Sequence, residues 1–161
     1  MIENQQKMYP YLPEGRTILY VPSSNPFMQE AERVCNEKST DKNHSTGSVV
    51  VLDGKVIGSN ANKAGFKNEF LIGVHQKGIC VRRFLKIKSG QKYWICPGCA
   101  SPENHSESLA VKDAIAKNGK IDGADLYLWG HWWCCEVCWN NMIKAGIKDV
   151  YLLDRSIELF K

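Results

Sequence analysis

Ala124-Asp125-Leu126-Tyr127-Leu128-Trp129, then Cys134-Cys135-Glu136-Val137-Cys138 running on to Gly146, then Ile147-Lys148-Asp149-Val150-Tyr151-Leu152-Leu153, is the stretch that decides the fold. The first and last pieces are short apolar runs of strand length. Between them Cys138, Met142 and Ala145 recur at helical spacing, and Gly146 suits the position just past a helix end. Strand, helix, strand within one sheet requires parallel strands joined by a right-handed crossover. These 30 residues therefore predict an α/β protein.

Working outward, a second helix is expected from about Asn104 to Gly119, with Ala110, Val111, Ala114 and Ile115 on its buried side. Farther upstream, Ser48-Val49-Val50-Val51-Leu52 reads as a strand, Asp53-Gly54 as a type I′ turn and Lys55-Val56-Ile57-Gly58 as the return strand. The apolar run in the first strand is too continuous for one solvated face, so helices are expected above and below the sheet. Another helix starts at Ser24-Asn25-Pro26, a cap followed by proline, with Phe27, Ala31 and Val34 on one face. Residues 1–24, with three prolines, read as an extended arm with a short strand near Thr17–Val21. Residues 25–161 then form one domain.

The chain is 161 residues long with net charge +4. No apolar run reaches membrane length and no signal-peptide pattern opens the chain, so a cytoplasmic protein is expected. Seven cysteines, an odd number with four in two C-x-x-C pairs, point to metal chemistry in a reducing compartment ahead of disulfides.

The chemistry concentrates at two helix starts. Cys135 and Cys138 are spaced so that two thiolates on one turn reach a single metal ion, and His105 can add an imidazole. Three protein ligands leave one tetrahedral position open, which distinguishes a catalytic zinc from a structural one. Glu107, two residues past the histidine, is placed to carry protons beside it. H-x-E followed by C-x-x-C is the zinc-deaminase signature. Taken alone, Glu107 also fits the N3 position of a capping box with Asn104 as cap. The second pair, Cys96-Pro97-Gly98-Cys99, opens a rival: a four-cysteine zinc ribbon that binds nucleic acid without catalysis. The 35 residues between the pairs hold a helix and a strand, which is long for a ribbon. Cys96 and Cys99 can instead hold a separate structural zinc with donors drawn from His75, Cys80, His131 and Cys134.

The stretch from Asn60 to Asn104 shows no clear periodicity. Within it Arg82, Arg83, Lys86, Lys88 and Lys92 are interleaved with Phe84, Tyr93 and Trp94. That pattern fits a phosphate-binding patch, a surface for single-stranded nucleic acid, or a solvated basic loop.

In Val49–Ile57, His105-Ser106-Glu107, Leu126-Tyr127-Leu128, Cys135-Glu136-Val137-Cys138 and Ala145–Tyr151, taken in that order, the chain resembles the zinc-dependent cytidine/deoxycytidylate deaminase superfamily, and within it the deoxycytidylate (dCMP) deaminases. The likeness runs from about Phe27 to Leu153. It implies a three-layer α/β/α sandwich with a mixed central sheet, an antiparallel N-terminal hairpin and parallel C-terminal strands. It implies zinc held by His105, Cys135 and Cys138, Glu107 as proton carrier, and hydrolytic deamination of a cytosine nucleotide, dCMP to dUMP with release of ammonia. Cytidine, a free base or cytosine in single-stranded DNA are alternative substrates. A homo-oligomer is implied as well. Asn62 matches an asparagine that would bond sugar or base; Trp132 and Trp133 replace the loop ahead of the cysteines and would wall the base; Lys63, Arg82 or Arg83 would take a 5′-phosphate. Three departures stand out: Ser106 for the usual alanine is mild, while Cys134 for the usual proline, with Gly130-His131-Trp132-Trp133 for the usual Thr-x-Glu ahead of it, and Asn60-Ala61-Asn62-Lys63 for the usual Gly-Tyr-Asn-Gly bear on substrate.

Overall fold

A computed structural model describes residues 9–41, 43–65, 67–88 and 91–161. Its centre is a sheet of five strands: β1 (Ile18–Val21), β2 (Gly47–Leu52), β3 (Lys55–Ala61), β4 (Asp125–Trp129) and β5 (Val150–Leu153), in the order β1-β5-β4-β2-β3. The β2–β3 hairpin is antiparallel and turns at Asp53 (φ 50°) and Gly54 (φ 74°), the two left-handed residues a type I′ turn needs. β4 and β5 run parallel, Leu126 beside Val150 and Leu128 beside Leu152. β2 joins the two halves antiparallel to β4. The sheet is therefore mixed, as expected.

The short strand expected in the N-terminal stretch is an edge of this sheet. Ile18 to Val21 pair in parallel with Val150 to Leu153, and Arg16 Nη1 donates to the carbonyls of Ile147 and Lys148.

Helix α1 (Pro26–Lys38) is capped by Asn25, whose side chain accepts from the Phe27 and Met28 amides. It lays Met28, Ala31 and Val34 on one sheet face with Val49, Val51 and Tyr127. Between β3 and β4 the chain forms two short helices, α2 (Glu69–Gln76) and α3 (Val81–Phe84), 3-10 turns at Tyr93–Ile95 and Pro102–Asn104, and then the longer helix α4 (Ser106–Asn118). Helix α5 (Glu136–Ala145) links β4 to β5, and α6 (Ser156–Phe160) follows β5. α4 and α5 cover the second sheet face, where Ala110, Ala114, Trp139 and Met142 meet Val50, Leu126 and Leu128. Alternate residues of β2 thus enter opposite cores, which is why its run is apolar throughout. Among the described residues no helix is long and apolar enough to cross a membrane.

Candidate active site

Helices α4 and α5 start side by side at one end of the sheet. His105 occupies the cap position of α4 and Cys135 that of α5. The capping-box reading of Glu107 does not hold: Asn104 lies in the preceding 3-10 turn and its side-chain amide donates to the Ser101 hydroxyl.

His105 Nδ1 lies 3.6 Å from Cys135 Sγ and 3.5 Å from Cys138 Sγ. Zn–S bonds of about 2.3 Å and Zn–N bonds of about 2.0 Å at tetrahedral angles put sulfur and nitrogen roughly 3.5 Å apart. Both nitrogen–sulfur edges therefore match those of a zinc tetrahedron, and all three donor atoms lie within 4.8 Å of one another. His105 Nε2 lies 3.2 Å from the Ala100 carbonyl. Donating there fixes the tautomer and leaves the Nδ1 lone pair toward the sulfurs. The Cys138 thiol first, and then the His105 ring, hold Cys135 well below the usual thiol range against the opposing effect of burial. Cys138 itself is buried and also meets the Ser108 hydroxyl at 3.6 Å, which Asn141 in turn donates to.

Glu107 is buried, and burial pushes its carboxyl above the ordinary carboxylate range. Two neighbours flank it. Ser106 Oγ donates to Glu107 Oε2 at 3.2 Å and meets Ser48 Oγ at 2.8 Å. The fully buried Cys134 thiol lies beside the Glu107 carboxyl, and burial together with that carboxyl pushes the thiol well above its usual range. Both departures from the family pattern beside the site thus adjoin this carboxyl.

A cleft of about 360 Å³ opens over these groups, lined in part by His105, Glu107 and Cys135, with Asn62, His131, Trp133, Arg82 and Arg83. Asn62 is buried; its Oδ1 accepts from Ser39 Oγ and the Thr46 amide, and its Nδ2 donates to the His44 carbonyl. Trp133 meets His131 edge-on. His131 Nδ1 accepts from the Trp132 and Trp133 amides, and burial pulls its pKa down to about 4. Arg83 donates to His44 Nε2 at 2.8 Å. Arg82 stacks on Tyr93 and donates to the carbonyls of Lys88 and Gln91.

Two expected substrate contacts do not line the cleft. Lys63 Nζ donates to the Lys38 carbonyl at the end of α1, where the helix dipole favours a cation. Trp132 stacks on Tyr9, with the Lys161 ammonium over its ring. The ribbon reading is also overturned. Cys96 and Cys99 gather with His75 and Cys80, while Cys135 and Cys138 gather with His105, so the two pairs belong to separate clusters. His131 and Cys134, weighed as partners of Cys96 and Cys99, are in neither cluster. Tyr93, from the basic and aromatic stretch singled out in the sequence, lines the cleft, whereas sequence reasoning missed His44, a lone residue in an aperiodic segment.

Residues 22–154 match the family model for the cytidine and deoxycytidylate deaminase zinc-binding region. No curated protein matches the chain. Among solved structures, dCMP deaminase from the cyanophage S-TIM5, in complex with dCMP and dUMP, aligns at 19% identity and TM-score 0.48, over 83% of this chain and 86% of that one. Guanine deaminase from Bacillus subtilis aligns at 17% identity and TM-score 0.46, over 83% and 66%. A diaminohydroxyphosphoribosylaminopyrimidine deaminase/5-amino-6-(5-phosphoribosylamino)uracil reductase from Thermotoga maritima aligns at 20% and 0.47, over 83% and 32%. With the family match covering most of its length, the chain belongs to the cytidine and deoxycytidylate deaminases, zinc-dependent enzymes of hydrolytic deamination.

Proposed function

We propose that this cleft deaminates the cytosine of a 5′-phosphorylated nucleoside, converting dCMP to dUMP. The observation that carries the reading is the company the zinc-type donors keep: one small cleft is lined by His105 and Cys135 of that set, a buried carboxyl and two arginines. Its volume lies at the small end of ligand pockets, which favours a mononucleotide over a polymer strand.

His105, Cys135 and Cys138 would hold a zinc ion, which would supply an activated water at neutral pH. Glu107 would accept a proton from that water and deliver it to the ring nitrogen next to C4 while the water oxygen bonds to C4. It would then take the second proton from the oxygen now on C4 and pass it to the amino group as the C4–N bond breaks and the C4 carbonyl forms, so that cytosine plus water gives uracil plus ammonia. Ser106 and Cys134 hold the carboxyl in reach of both atoms without taking the proton away. Trp133 walls the base, and the second Nδ2 hydrogen of Asn62 serves the sugar. Arg83, and the guanidinium hydrogens of Arg82 not engaged with carbonyls, take the phosphate, where a planar fork suits paired oxygens. His44 accepts from Arg83, and burial lowers its pKa, so it fixes the arginine without adding a competing charge. The machinery lies within residues 25–161, and its thiol-rich donor clusters suit a reducing, cytoplasmic setting.

The test is ammonia release from dCMP, cytidine, cytosine and single-stranded DNA by the zinc-loaded protein. The proposal expects dCMP to give the highest kcat/KM. A single strand turned over faster than the mononucleotide would overturn it.

A further inference from the structure

Among its described residues 67–99, the insert between β3 and α4 buries no large apolar side chain. Phe70, Ile79, Phe84, Leu85 and Trp94 are all exposed, and α3 buries nothing. Among its described residues 67–99, the buried ones are His75, Cys96, Gly98 and Cys99. A segment of this length is not held by hydrophobic burial when its apolar side chains face water. What lies at its centre is a set of metal-type donors.

His75, at the end of α2, Cys80, just ahead of α3, and Cys96 and Cys99 bring their donor atoms within 4.8 Å of one another. His75 Nδ1 lies 3.2 Å from Cys96 Sγ, and Cys80 Sγ lies 3.6 Å from Cys99 Sγ. These are close to the edges of a zinc tetrahedron, roughly 3.5–3.8 Å from the bond lengths. The surroundings are also those of a metal site. Asp41 Oδ1 lies 3.2 Å from His75 Nε2, and both side chains are buried. A carboxylate there fixes the ring so that Nδ1 faces the sulfurs. A Cβ on Gly98 would stand 2.1 Å from the His75 ring, so the Cys96–Cys99 turn admits the histidine only because residue 98 has no side chain.

We propose that His75, Cys80, Cys96 and Cys99 bind a second zinc ion, closed to substrate, that fixes the Arg82 wall of the catalytic cleft. Four protein ligands complete a tetrahedron, so this ion has no open position and acts as a staple. The link to the cleft is direct. Arg82 Nη1 approaches Cys99 Sγ at 3.8 Å, and Cys80, Arg82 and Cys99 all line the cleft. Without the ion no large buried apolar side chain among the described residues holds the insert, and the guanidinium assigned to the substrate phosphate loses its anchor. The coupling to substrate rests on the phosphate reading given above; the metal site itself does not.

The test counts metal first. Wild-type protein binds two zinc ions per chain, Cys96→Ser and Cys135→Ser one each, by elemental analysis after exhaustive desalting. Cadmium-113 NMR of the wild-type chain gives two resonances, one from a three-sulfur and one from a two-sulfur environment, and this holds whether or not a variant folds. One metal per chain, or a Cys80–Cys99 disulfide in protein purified under reducing conditions, would overturn the site. Affinity is then compared in a catalytically silent background, Glu107→Gln against Glu107→Gln with Cys96→Ser. The dCMP Kd rises at least tenfold while that of cytidine, lacking the phosphate, changes less. An equal change for both ligands, or none, would overturn the link to Arg82 and leave the metal count to stand on its own.

Discussion

Replacing Glu107 by Gln keeps the side chain's shape and removes its ability to move a proton. The structure bounds the effect. Among the described residues only one other carboxylate, Asp41, lines the cleft, and it is tied to His75 Nε2 and to the amides of Asn43 and His44. That leaves Asp41 unable to stand in. A positioned acid–base group contributes about 10²–10⁴-fold, or about 2.7–5.5 kcal/mol of barrier. The upper end is expected here, because the same carboxyl serves the ring nitrogen and then the leaving amine. The fold should not suffer: Ser106 Oγ can donate to the amide oxygen as it does to the carboxyl, and a neutral group is easier to bury. The assay is ammonia release at saturating dCMP, with zinc content and Tm measured on the same sample. A kcat within about tenfold of the parent, with zinc retained, would refute the assignment.

Other outcomes follow from neighbouring geometry. Trp132→Ala should lower Tm through loss of the Tyr9 stack and leave the dCMP KM within about twofold, read by thermal melts and steady-state kinetics. Gly47→Ala puts a Cβ 2.2 Å from the Ala31 carbonyl oxygen, where α1 crosses β2, and should destabilise the fold by about 3 kcal/mol or more in chemical denaturation. His131, with its pKa drawn down to about 4 by burial, should stay neutral in an NMR titration from pH 8 to pH 5. A histidine with a depressed folded pKa binds fewer protons folded than unfolded. It therefore costs no stability above about pH 6.5, and its destabilising effect grows as pH falls from there to about 4. A midpoint above pH 6 would contradict the buried, acceptor role of its Nδ1.

The parts of the fold legible in the sequence are those written in local chemistry. Asn25-Pro26 marks the start of α1, Asp53-Gly54 the hairpin turn, and Gly146 the end of α5, because each meets a backbone demand within a few residues. The convergence of His105 with Cys135 and Cys138 was legible because ligand spacing constrains it. The insert was not. Its apolar residues are half-buried or exposed, so no periodicity marks its helices, and its donors are scattered among α2, a loop and a turn. His75 and Cys80 stood among several possible partners for Cys96 and Cys99, and nothing local singled them out. Asp41, which orients His75 from 34 residues away, carries no signal at all in the chain. Trp132 and Lys63 looked like cleft residues from their neighbours. Only the direction each side chain takes, toward Tyr9 and toward the end of α1, removed them.

The most direct measurement is anomalous diffraction at the zinc edge from crystals of the zinc-replete protein. A peak is predicted within bonding distance of His105 Nδ1, Cys135 Sγ and Cys138 Sγ, with the Glu107 carboxyl outside that bonding shell. No peak at that position, or one directly ligated by Glu107, would contradict the account at its root.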